Sequence, residues 1–428
     1  MAHSQQAGID GVHNKLFGDA VNINGSYSGG SNTLIGGNEG ATNSLYGDAY
    51  NMSGNATGGH DTLSGGYDSN NFLYGDAYNI FSYASGGYNI LLGGYGSTNY
   101  LYGDAYNMSG NATGGRNTLT GGSPATNSLY GDAYNMFGKA TGGHNTLTGG
   151  NVDATNYLYG DAYKMSDNAS GGYNTLKGGY LCSFNWFYGS AYNMSNNTTG
   201  GHNTLTVGDE SGTNYLFGDA CNMSGYAIGG YNTLMGANED VTNYLYGSAY
   251  KMANNASGGH NTLTGGNAFG NNYLYGDAWS MSGNATGGHN TLAGGTNSTN
   301  YLYGDAYNMS DNASGGYNTL IAGTGFGKAI TNNMWGDAKS LSGSPHVGHD
   351  FFVFVDNKSL TVGTQNYIND FSHALSDKIE FSNVTGVSKF RDLVFTTDGY
   401  NTVIHAGADV VTLVGFTEIL QASDFIFV

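Results

Sequence analysis

Asn145-Thr146-Leu147-Thr148-Gly149-Gly150 and, after a variable stretch, Asn156-Tyr157-Leu158-Tyr159-Gly160-Asp161-Ala162 carry the pattern that decides the fold. In both segments apolar and polar residues alternate with a period of two, glycines flank the run, and no window repeats its apolar residues at helical spacing. Short β-strands follow from that alternation. Leucines are expected to point inward, and Tyr and Thr outward.

Outward from these segments the same text recurs. The glycine of a Gly-Asp-Ala or Gly-Ser-Ala triplet stands at 18, 47, 75, 103, 131, 160, 189, 218, 247, 276, 304 and 336, in steps of 28 or 29 residues until a final step of 32. Asn-Thr-Leu strands place their leucine at 34, 63, 91, 119, 147, 176, 205, 234, 263, 292 and 320. A period of this size implies stacked units, because one unit cannot bury its apolar face until neighbours cover it. The expectation is an all-β chain: a β-solenoid of about eleven coils of 28–29 residues over 1–344, closed by a β-rich cap over 345–428. Equivalent residues would stack about 4.8 Å apart. Leu147, Leu158, Ala162 and Met165 would form the core, on three sides of roughly nine residues each.

Composition agrees. Glycine supplies 74 of 428 residues, proline 2, and only 10% are charged, yet 39% are hydrophobic, which argues against disorder. No apolar run is long enough for a membrane helix. The net charge of −19 disfavours nucleic acid and anionic membrane surfaces as partners and favours cations as ligands. Residues 1–10 (MAHSQQAGID) lack the basic and apolar regions of a signal peptide, so an export address is expected elsewhere. Cys182 and Cys221 occupy different positions in the repeat and are read as incidental.

Gly59-His60-Asp61-Thr62-Leu63-Ser64-Gly65-Gly66 resembles part of the calcium-binding nonapeptide GGxGxDxUx of bacterial repeats-in-toxin (RTX) proteins, with Asp61 at the family's ligand position. The other Leu strands of the repeat carry Asn there: 32, 89, 117, 145, 174, 203, 232, 261, 290 and 318. The second strand type carries Asn from Asn14 to Asn332. Calcium is held mainly by carboxylate oxygens, so the family's metal chemistry is expected to be lost and replaced by stacked Asn ladders. The C-terminal region from His349 is similar to the terminal domain of type I secreted proteins. Its last residues, Asp424-Phe425-Ile426-Phe427-Val428, follow the acidic-then-apolar pattern of that family's uncleaved signal. The resemblance implies a secreted protein, extracellular or on a bacterial cell surface, with the type I secretion machinery as a partner.

Aromatic residues form the most conspicuous candidate surface. One column follows the first-strand leucine (Tyr46, Tyr74, Tyr102, Tyr130, Tyr159, Tyr188, Tyr246, Tyr275, Tyr303), and another follows Gly-Asp-Ala (Tyr50, Tyr78, Tyr106, Tyr134, Tyr163). Outward-facing columns would make an apolar patch suited to self-association or to polysaccharide stacking. The Gly-Asp-Ala aspartates, among them Asp48, Asp76, Asp104, Asp132 and Asp161, are weak calcium candidates. Ser190 and Ser248 interrupt their column, and Asp in tight turns commonly serves the backbone. Ice binding through Thr-x-Thr is weakened because the second threonine occurs only at Thr120, Thr148, Thr206 and Thr264. His60, His144, His202, His260 and His289 read as turn residues, and His346 with His349 as a weak metal match.

No catalytic constellation is legible, so an enzyme is the least expected class. The preferred reading is a secreted structural protein that assembles with itself into fibres or matrix, without cofactor. Calcium binding by the aspartates, or polysaccharide or ice binding, are the alternatives.

Overall fold

A computed structural model describes residues 4–181, 183–210, 212–325, 330–355 and 364–428. The chain divides into two compact units, Met1–Asn232 and Thr233–Val428. Cys182 lies outside the described residues.

One coil of the first unit shows how the repeat folds. Thr98–Tyr102 forms one side, Ala105–Met108 the second and Arg116–Thr120 the third. Each lies parallel to the same segment of the next coil with no slip in register: Leu101 opposite Leu129, Met108 opposite Met136, Leu119 opposite Leu147. The second unit repeats the arrangement with Thr242–Tyr246, Ala249–Met252 and His260–Thr264, which pair Leu245 with Leu274, Met252 with Met281 and Leu263 with Leu292. Register is tight because a one-residue slip would turn each leucine outward. Leu147, Leu158, Ala162 and Met165 are fully buried, as expected.

Two glycine positions explain why the coils close. Gly-Asp links the first and second sides, and a Cβ on Gly103 would collide with the carbonyl oxygen of Gly131 in the next coil. The turn after the second side needs a left-handed residue. Gly54, Gly110 and Gly138 supply it at φ of 72–73°, while Ser82, Asp167 and Asn196 adopt 63–66°. Gly103→Ala is accordingly expected to destabilise the fold by about 3 kcal/mol or more, at the upper end for overpacking. A fall in the urea midpoint would show it, and an unchanged midpoint would contradict the close stacking.

The coil count and the cap differ from the sequence expectation: there are about thirteen coils rather than eleven. Beyond the last Gly-Asp-Ala triplet, Phe351–Val355 stacks on Thr319–Ile321, and Lys378–Ser382 stacks on Phe351–Val355. Gln365–Ile368 stacks in the same way on Thr331–Trp335. These coils lack the triplet but keep the inward positions, with Phe352 opposite Leu320 and Asn366 opposite Asn332. The end of the chain therefore extends the coils before it turns. Val394–Thr397, Thr402–Ala406 and Asp409–Leu413 then pair antiparallel. No helix among the described residues is long and apolar enough to cross a membrane.

Candidate functional site: the stacked polar and aromatic ladders

Equivalent residues on each side of a coil stack into ladders, so the chemistry of the molecule is repeated rather than gathered in one place. On the first side the buried Asn column is continuous within each unit. Asn14 donates its side-chain Nδ2 to Asn43 Oδ1 at 2.9 Å, and the pattern runs through Asn71, Asn99, Asn127, Asn156 and Asn185 to Asn214 at 2.8–3.0 Å. In the second unit it links Asn243, Asn272, Asn300, Asn332 and Asn366. The same amide closes a turn in its own coil. Gly122 N donates to Asn127 Oδ1 and Asn127 Nδ2 donates to Gly122 O, both at 2.9 Å. A second column joins Asn145, Asn174, Asn203 and Asn232. The expected ladders are present, and a third, half-exposed one through Asn51, Asn79, Asn107 and Asn135 was not anticipated. Its sequence signal, an Asn two residues after most of the Gly-Asp-Ala triplets, with Lys164, Ser280 and Ser340 as exceptions, was available.

The Gly-Asp-Ala aspartates point inward. Asp48, Asp76, Asp104, Asp132 and Asp161 are all fully buried, so solvent does not screen them as a turn position would allow. Each accepts a backbone N–H from eleven residues on: Gly59 to Asp48, Gly87 to Asp76, Gly115 to Asp104, Gly143 to Asp132 and Gly172 to Asp161, at 2.8–3.0 Å. Service to the backbone is thus their visible role. Ser190 and Ser248 perform it too, accepting from Gly201 N at 2.9 Å and Gly259 N at 3.0 Å, which supplies the compensation the sequence alone did not reveal. Burial raises these acids strongly. Asp132 lies well above the usual carboxylate range, first through desolvation and then through Asp104 and Asp161. Asp219 is pushed up to about 8, again by burial.

The aromatic columns require a correction. Tyr46, Tyr74, Tyr102, Tyr130, Tyr159, Tyr188, Tyr246, Tyr275 and Tyr303 are only 3–6% exposed, so this column does not face outward as alternation suggested. It follows the strand's last inward leucine at the corner, where the chain turns, and the Tyr50 column lies across it. Tyr46 and Tyr50 meet edge-on at 5.8 Å, and Tyr102 and Tyr106 at 5.6 Å. Within each column rings stack at about 5 Å, for example Tyr74 on Tyr102 at 4.9 Å and Tyr78 on Tyr106 at 5.0 Å. Tyr50, Tyr78, Tyr106, Tyr134 and Tyr163 are half-buried and form the accessible part of this pair.

The third side does present its polar residues. Thr118 and Thr146 are exposed, and His144 and His202 stack against Tyr173 at 4.8 and 4.9 Å. At the C-terminus, Asp424 is buried, accepts from Gln421 N at 2.6 Å and lies 3.0 Å from His373 Nδ1. Phe425–Phe427 is a strand paired with Ile379, Glu380 and Phe381, and Val428 is exposed. This tail is therefore docked in the fold.

No protein-family model and no curated protein matches the chain.

Proposed function

We propose that this chain is a secreted, non-enzymatic structural protein of a bacterial surface or extracellular matrix. The observation that carries the reading is repetition in register: the same buried amides, acids and rings recur at the same place in successive coils of each unit. Such an arrangement suits stiffness and a repeated surface better than turnover at one centre. The half-buried Tyr50, Tyr78, Tyr106, Tyr134 and Tyr163 column offers a surface through which copies could associate into fibres, and Phe81 and Tyr83, in the stretch that follows Tyr78, are exposed as well.

The RTX resemblance supports export through a type I system, with the acidic-then-apolar tail as address. Because Asp424 and Phe425 are buried in the folded chain, the machinery would read that tail before folding. Concentration-dependent scattering tests the assembly. Growth of particle size for the wild type, and its suppression when Tyr78, Tyr106 and Tyr134 are replaced by Ser, supports the reading; a monodisperse monomer at all concentrations would sink it.

A further inference from the structure

Asp61 breaks the Asn column of the third side, and what the break leaves behind points to a ligand. In an ordinary coil the amide of that column completes its surroundings. Asn117 Nδ2 donates to Asp104 Oδ1 and to Gly131 O, both at 3.0 Å. Asp61 has no such hydrogens. Its Oδ1 accepts from Asn32 N at 2.6 Å, but Oδ2 has no hydrogen-bond partner. Asp48 and Asp76 each spend one oxygen on a glycine N–H, and the other, Oδ1 in both, also has none.

These three carboxylates come together. One oxygen from each of Asp48, Asp61 and Asp76 lies within 4.8 Å of the other two, and the residues are 0–1% exposed. A Cβ on Gly47 would meet both Asp61 Oδ2 and the carbonyl oxygen of Gly75, so that carbonyl shares the same small space. Gly75 is the counterpart of Gly131, whose oxygen receives the Asn amide in the ordinary coil. Buried carboxylate oxygens without a donor are strongly unfavourable unless something positive sits between them.

We propose that Asp48, Asp61 and Asp76, with the Gly75 carbonyl, bind one calcium ion at the place where other coils put an asparagine amide. An all-oxygen, acidic donor set selects a hard cation, and a buried group of three carboxylates with a carbonyl suits calcium better than magnesium, which keeps several waters and is held through one or two carboxylates. Two of the three carboxylates belong to Gly-Asp-Ala triplets, outside the GxDxUxGG stretch. The ion therefore ties adjacent coils together from inside, at a place where the neighbouring coils carry an asparagine; aspartate returns to this column at Asp350 and Asp377, beyond the last triplet.

Asp61→Asn tests this without endangering the fold, since asparagine is the residue the neighbouring coils carry. Full-length wild type and D61N are unfolded in chelator, refolded with or without calcium, and freed of loose ion by gel filtration. The expected result is one calcium per chain more in the wild type than in D61N, and a melting temperature that calcium raises by several degrees more in the wild type. Equal calcium content and an equal thermal response in the two proteins would overturn the proposal and leave the three acids sharing protons instead.

Discussion

Asn127→Leu is expected to lower stability by about 2 to 6 kcal/mol, because two buried backbone groups lose their partner at roughly 1–3 kcal/mol each. Those groups are Gly122 N–H and Gly122 C=O, both bonded to the Asn127 side chain in the turn. The neighbours in the ladder are also affected: Asn99 Nδ2 loses its acceptor and Asn156 Oδ1 its donor, each keeping one bond to its own turn glycine. Leucine is of similar size, so the loss is polar rather than a cavity. Asn135→Leu, in the half-exposed ladder, removes a comparable bond where water can substitute and is expected to change stability by under about 1 kcal/mol. Urea midpoints of the two variants read the contrast; equal shifts would mean the buried ladder holds nothing together.

The metal-free protein is expected to melt higher at pH 5 than at pH 8, the reverse of ordinary acid denaturation. In the unfolded chain an aspartate titrates near 4. Burial pushes Asp219 up to about 8 in the folded chain and raises Asp132 and Asp277 as well, with their acidic neighbours adding to Asp132. Between those values the folded chain holds protons that the unfolded chain has released. The stabilisation is complete below the unfolded value and is lost as pH rises through the folded ones. A difference of several kcal/mol between the two pH values corresponds to a melting shift on the order of 10 °C. Asp132→Ser, which copies the role of Ser190, is expected to flatten the profile while keeping the Gly143 N–H bonded. Melting that rises from pH 5 to pH 8 in the presence of chelator would contradict the buried, protonated column.

Much of this architecture was legible because period and alternation are local properties of the text. The Leu, Ala and Met core and the Asn ladders follow from identical residues stacking in register. Orientation at the corner was not legible. Tyr102 follows Leu101 and by alternation should face out, but Gly103 turns the chain immediately after it, and the ring folds under Tyr106. The inward aspartates were missed for a related reason: Gly-Asp looks like a solvent turn until the partner of Asp104, Gly115 N, is seen eleven residues away across the interior. The added coils near the C-terminus keep the inward apolar position, as at Phe352 and Ile379, but carry no triplet by which repetition could be counted. Asp61 stood out from its Asn counterparts in the sequence, but that Asp48 and Asp76 meet it needed the stacking of adjacent coils.

Hydrogen exchange at the side-chain amides of nitrogen-labelled asparagine tests the central claim most directly, since it reads the ladder itself in solution. If coils stack in register around buried amides, Asn99, Asn127 and Asn156 should exchange as slowly as the backbone N–H groups of Leu101 and Leu129, and Asn135 much faster. Fast exchange at Asn127, matching Asn135, would contradict the account.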